Sequence, residues 1–131
     1  MKDYKFTFEV DDKTYSLIFN LNVMESIQAK YGSVQKWGKL TDNKNGEPNA
    51  KALIFGFTEM INEAIDIEND ELGSNKPLLT TKQVGRIITK AGIQESAKKL
   101  NKAITESVKG IVSAYPTGIY FVIPLSEESF C

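Results

Sequence analysis

The chain has 131 residues, of which 41% are hydrophobic and 25% charged, with a formal net charge of -1; this is the balance of an ordinary globular domain and argues against disorder, a fibrous class and an overall basic field that would seek phosphate. Its one cysteine, Cys131, rules out an intramolecular disulfide and a cysteine-based metal site. No window comes near the roughly 20 apolar residues of a membrane helix, and the N-terminus lacks the apolar middle of a signal peptide, so a cytoplasmic protein is expected.

Tyr4, Phe6, Phe8 and Val10 alternate with polar residues, and Tyr15, Leu17 and Phe19 alternate with Thr14, Ser16 and Ile18, with Asp11 and Asp12 between them as turn residues. The pattern predicts a β-hairpin whose aromatic face turns inward, with Ile18 on the other face. Asn22 and Glu25 have the spacing of an N-cap and its reciprocal partner, followed by Val23, Ile27 and Tyr31 at helical spacing and a stop at Gly32. A helix over about 23–31 is therefore expected. Ser33 can cap a second, short helix through Val34, Trp37 and Leu40, with Trp37 packing back on the first; the polar run 41–48 reads as a loop.

From Asn49 onward, Leu53, Phe57, Met60, Ile61, Ala64 and Ile65 form the stripe of a helix burying one face. Gly73, Ser74, Asn75 and Pro77 break the chain within 68–79, after which Thr80 or Thr81 caps a helix carrying Val84, Ile87, Ile88 and Ala91 and closed by Gly92. Ile93, Ala97, Leu100, Ile104, Val108 and Ile111 make one more amphipathic helix, joined to the preceding one or bent at Gly92. Beyond Pro116 and Gly118, the apolar run 119–123 reads as a third strand or as an interaction segment, since a lone hairpin is marginal in water.

These elements predict an α+β fold. An N-terminal antiparallel hairpin, three-stranded if a C-terminal strand joins it, packs on four to five helices in one domain over residues 1–118, followed by an apolar segment over 119–131. The apolar stripes over 53–65 and 84–111 exceed what a short hairpin can cover. Either they pack on one another or part of that surface is a groove for a partner helix, whose apolar anchors recur every three to four positions. Ile119, Phe121 and Ile123 are the candidate partner-binding residues.

Catalytic and cofactor chemistry finds little support. Without histidine the chain lacks the commonest general base and metal ligand. Gly32, Gly38 and Lys39 imitate a phosphate loop, but the spacing is one residue too long and Leu40 stands where Ser or Thr must bind magnesium. Asp66, Glu68 and Asp70 alternate as in a calcium loop, yet Glu71 replaces the required glycine and Pro77 the closing glutamate. Asn43, Asn45 and Gly46 fail the same test. The residues 59–71 are rich in acid and 76–109 in lysine, which gives solvated helix faces or a bipolar surface that orients partners or self-associates. A single arginine argues against base reading in nucleic acid. No enzyme, metal, cofactor or nucleic-acid partner is expected.

In element order and weak pattern the chain resembles the small tail assembly chaperones of long-tailed bacteriophages and of prophages in low-GC Gram-positive bacteria. The resemblance lies in Lys5-Phe6-Thr7-Phe8-Glu9-Val10-Asp11-Asp12-Lys13-Thr14-Tyr15-Ser16-Leu17-Ile18-Phe19 leading directly into Asn20-Leu21-Asn22-Val23-Met24-Glu25-Ser26-Ile27 and the stop at Tyr31-Gly32. It continues through a middle helix to Leu78-Leu79-Thr80-Thr81-Lys82-Gln83-Val84-Gly85, covering about the first 110 residues. The resemblance implies a non-enzymatic cytoplasmic factor that binds the helical tape-measure protein and helps tail-tube protein polymerise around it. The alternative is a small prophage regulator that inhibits an enzyme or a nucleic-acid-binding factor. Self-association is compatible with either.

Overall fold

The computed structural model describes residues 5–42 and 46–112. Strand β1 (Lys5–Val10) pairs antiparallel with β2 (Lys13–Ile18), placing Phe6 opposite Leu17 and Phe8 opposite Tyr15. Asp11 and Asp12 make the two-residue turn, both with positive φ (49° and 60°), the twist a tight hairpin demands. Helices follow at α1 (Leu21–Tyr31), α2 (Val34–Thr41), α3 (Ala50–Leu72), α4 (Thr81–Ala91) and α5 (Ile93–Val112). The architecture is the expected α+β arrangement, with a two-stranded hairpin packed on five helices among the described residues. The third strand proposed for 119–123 lies outside the described residues.

One continuous core joins the layers, drawing Phe8, Leu17 and Phe19 from the hairpin region, Val23 and Ile27 from α1, Trp37 from α2, Leu53, Phe57 and Met60 from α3, and Val84, Leu100 and Ile104 from the last two helices. Phe8 stacks at a tilt on Phe57, ring centroids 5.1 Å apart. Phe8 and Phe19 therefore sit inside, while Phe6 and Tyr15 on the same face of the alternating pattern are half-buried against the core. Ile18 departs from that alternation, being 5% exposed. The reason is α3, which runs past the hairpin so that Ala64 and Ile67 share a concavity with Ile18 on the face that alternation alone assigns to solvent.

The helix boundaries show which local signals prevailed. Ser33 caps α2, Asn49 caps α3, and Thr80 with Gln83 forms a complete capping box on α4. Gly32 and Gly92 end α1 and α4 with positive φ, and Gly92 separates α4 from α5 as two helices. The cap of α1 is Asn20 rather than Asn22; its side chain accepts from Val23 N–H at 3.2 Å. Asn22 is drawn elsewhere, its amide donating to Glu63 Oε2 at 3.0 Å, where Asn20 Nδ2 also donates at 2.7 Å. One carboxylate on α3 thus holds the entry to α1.

Trp37 is anchored on α3. Its indole N–H donates to Ala52 C=O at 2.9 Å, and its six-membered ring occupies the niche at Gly56, where a Cβ would lie 2.2 Å from Cζ2. Helix α3 continues through the acidic residues to Leu72 and stops at Gly73 in the left-handed conformation. The connection to α4 is then clamped back along α3. Asn62 donates to Leu79 C=O at 3.0 Å and accepts Leu79 N–H at 2.9 Å. Two turns further on, Asn69 makes the same pair of bonds with the backbone of Lys76, each 3.0 Å.

Candidate partner-binding groove

The clamp at Leu79 sets α4 antiparallel to α3, bringing Gly85 opposite Ile54. Without a side chain, Gly85 leaves Ile54 Cδ1 3.5 Å from where a Cβ would stand. The gap between the helices opens into a groove of about 540 Å³ lined by Lys30, Lys51, Ile54, Phe55, Thr81, Lys82 and Gly85. Ile54 and Phe55 are half-buried, and the three lysines are exposed around them. Helical spacing explains the geometry: Leu53, Phe57 and Met60 point to the core, Ile54 lies about 100° round from Leu53 on the flank of that stripe, and Phe55 lies about 200° round, on its far side.

Phe55 is fixed on its outer side. Tyr31 meets it edge-on at 5.6 Å between centroids, and Lys30 Nζ sits 4.6 Å above its ring, an arrangement in which ring quadrupole and ammonium attract. The Tyr31 hydroxyl is buried without a hydrogen-bond partner among the described residues. Burial accordingly pushes its pKa above the usual tyrosine value. Among the described residues no ion pair engages Lys51 or Lys82. The groove is thus an apolar floor with a cationic rim.

At the far end of α3 the charge is opposite. Asp66, Asp70 and Glu71 are exposed, beside Leu72, which is 71% exposed. Glu68 is paired with Lys76 Nζ at 2.7 Å. That ammonium, through its hydrogen bond and its charge, holds the Glu68 carboxyl below the ordinary glutamate range. Asp66, Glu68 and Asp70 lie on continuous helix, which cannot wrap a cation as a calcium loop does. Gly38 and Lys39 are likewise inside α2, so no phosphate loop exists there. No group of three or more metal-ligating side chains is assembled among the described residues, and no helix among them is long and apolar enough to cross a membrane.

Ile119, Phe121 and Ile123 lie outside the described residues. The two apolar stripes do pack on one another, Leu53 and Phe57 sharing the core with Val84, Ile88 and Leu100, while the groove remains at their edge. Its lining was not singled out by periodicity. The available signal was the pair Ile54 and Phe55, apolar residues one step off a stripe already complete, opposite a glycine in a helix interior. No protein-family model, curated protein or solved structure matches the chain.

Proposed function

We propose that the chain is a non-enzymatic tail assembly chaperone of a bacteriophage or prophage, acting in the bacterial cytoplasm on the tape-measure protein and tail-tube subunits of the same element. The observation that carries the reading is the groove between α3 and α4. Its floor of Ile54 and Phe55 offers apolar contacts on a scale that suits the anchors of one amphipathic helix, and a tape-measure protein is a long apolar helix in need of cover before the tube forms. The resemblance in element order supports the same assignment. The segment bearing Ile119, Phe121 and Ile123 adds a second apolar contact on this proposal.

Coexpression with the tape-measure protein of the same element tests it. The chain should keep that protein soluble, Phe55→Glu should weaken the effect, and polar replacement of Ile119, Phe121 and Ile123 should weaken it more than it lowers Tm. A tape-measure protein equally insoluble with and without the chain overturns the proposal. Salt-sensitive binding to random duplex DNA would favour the regulator instead.

A further inference from the structure

The groove between α3 and α4 carries charge of one sign. Lys30, Lys51 and Lys82 line it, and among the described residues no acid does. Helix α4 adds Arg86 one turn beyond Lys82 and has no aspartate or glutamate along its length. All four cations are exposed, and none of them is in an ion pair among the described residues. They also stand on both sides of the apolar floor. Ile54 faces Gly85, so Lys82, one turn before that glycine, lies on the α4 side. Phe55 faces Tyr31 and Lys30 on the α1 side, and Lys51 lies one turn before both floor residues, at the end of the groove.

Like charges held around one apolar strip repel one another, and carboxylates from outside relieve them. On an exposed rim each such pair adds little affinity. Together they decide which of several apolar helices is accepted, because a flank of the wrong sign meets three ammonium groups at once. Lys30 sharpens the choice. Its ammonium lies 4.6 Å from the Phe55 ring centroid, over surface that an apolar anchor must contact. A carboxylate on the entering helix draws that ammonium aside, whereas an uncharged flank leaves it in the way. We infer that the groove selects, among the apolar helical segments of its partner, those whose apolar stripe is flanked by aspartate or glutamate on both sides, with Lys82 reading one flank, Lys30 the other and Lys51 the end. The inference rests on the proposed function in taking the groove as a helix site, and adds which helix that site accepts.

Overlapping fluorescent peptides that tile the tape-measure protein of the same element, titrated with the full chain and followed by anisotropy, test this. The tightest-binding peptides should carry an apolar stripe with acids on both flanks. Replacing those acids by asparagine or glutamine should weaken binding at least about tenfold, the combined effect of several exposed pairs, and 1 M salt, where the Debye length is about 3 Å, should do the same. Lys51→Glu/Lys82→Glu should bind the acid-flanked peptides at least about tenfold more weakly than wild type, and should bind their lysine-flanked counterparts more tightly than wild type does. That gain cannot come from misfolding, and both substituted positions are exposed. Lys30→Met, which keeps the aliphatic stem, should lose the preference on one flank alone. Peptides bound without regard to flank charge, yet lost in Phe55→Glu, overturn the inference and leave the groove as a helix site. No peptide bound at all overturns both.

Discussion

Replacing Gly56 by alanine should destabilise the protein even though alanine is the better helix former. The added Cβ would stand 2.2 Å from Trp37 Cζ2 and 3.1 Å from Cε2 and Cη2, far inside ordinary contact. The indole has little room to yield, because it is 1% exposed and its N–H is bonded to Ala52 C=O. Overpacking of this kind costs about 1–3 kcal/mol, and displacing the indole N–H from its acceptor adds about 1–3 kcal/mol. The gain in helix propensity returns only about 0.5–1 kcal/mol. A net loss of about 1–5 kcal/mol lowers Tm by roughly 4–20 °C in a domain of this size. Thermal melts followed by circular dichroism and by the fluorescence of the single tryptophan measure it. In a Trp37→Phe background the clashing atoms are gone, and Gly56→Ala should cost about 2 kcal/mol less than in wild type. Gly85→Ala, which meets only Ile54 Cδ1 at 3.5 Å, should instead stabilise by about 0.4–1 kcal/mol. A Gly56→Ala protein as stable as wild type, or additive with Trp37→Phe, refutes the packing argument.

Asn62→Ala removes both bonds to Leu79 and should cost about 1–3 kcal/mol. Faster hydrogen exchange at the Leu79 amide would confirm the mechanism. Stability should be nearly flat between pH 6 and 8, since the chain has no histidine and the displaced groups move away from neutrality. The lowered pKa of Glu68 makes its contribution complete above the ordinary glutamate value and lost as pH falls through the folded one. The raised pKa of Tyr31 makes its contribution complete below about 10 and lost as pH rises further. Urea midpoints across pH 3–11 show both limbs; a steep slope at neutrality contradicts the assignment. A chelator should leave Tm unchanged, because a structural metal would add several kcal/mol.

The sequence disclosed what is encoded locally. Alternation and Asp11-Asp12 define the hairpin, and Ser33, Asn49 and Thr80 start their helices where capping chemistry places them. What it concealed is settled by partners distant in the chain. Asn22, with Glu25 three residues on, reads as the cap of α1, but Glu63, some 40 positions away, engages the amides of Asn20 and Asn22 and the cap is Asn20. Trp37 finds its hydrogen-bond acceptor and its niche at Ala52 and Gly56 on α3, which no local pattern around the tryptophan announces. Residues 68–72 read as part of the break over 68–79 because their charges mask a helix that only Gly73 stops. Asn62 and Asn69 look like neutral helix residues, and their clamping role exists only once the linker folds back. The groove depends on that clamp, which is why periodicity indicated an excess of apolar surface but not its location.

The central claim is that the surface around Ile54 and Phe55 receives an apolar helix. The most direct measurement is a nuclear magnetic resonance titration of the isotope-labelled full chain with a helical fragment of the tape-measure protein from the same element. The account predicts that the largest shifts fall on the amides of Lys51, Ile54, Phe55, Thr81 and Gly85 and vanish with Phe55→Glu. Binding whose shifts fall elsewhere, or the absence of any shift, would contradict it.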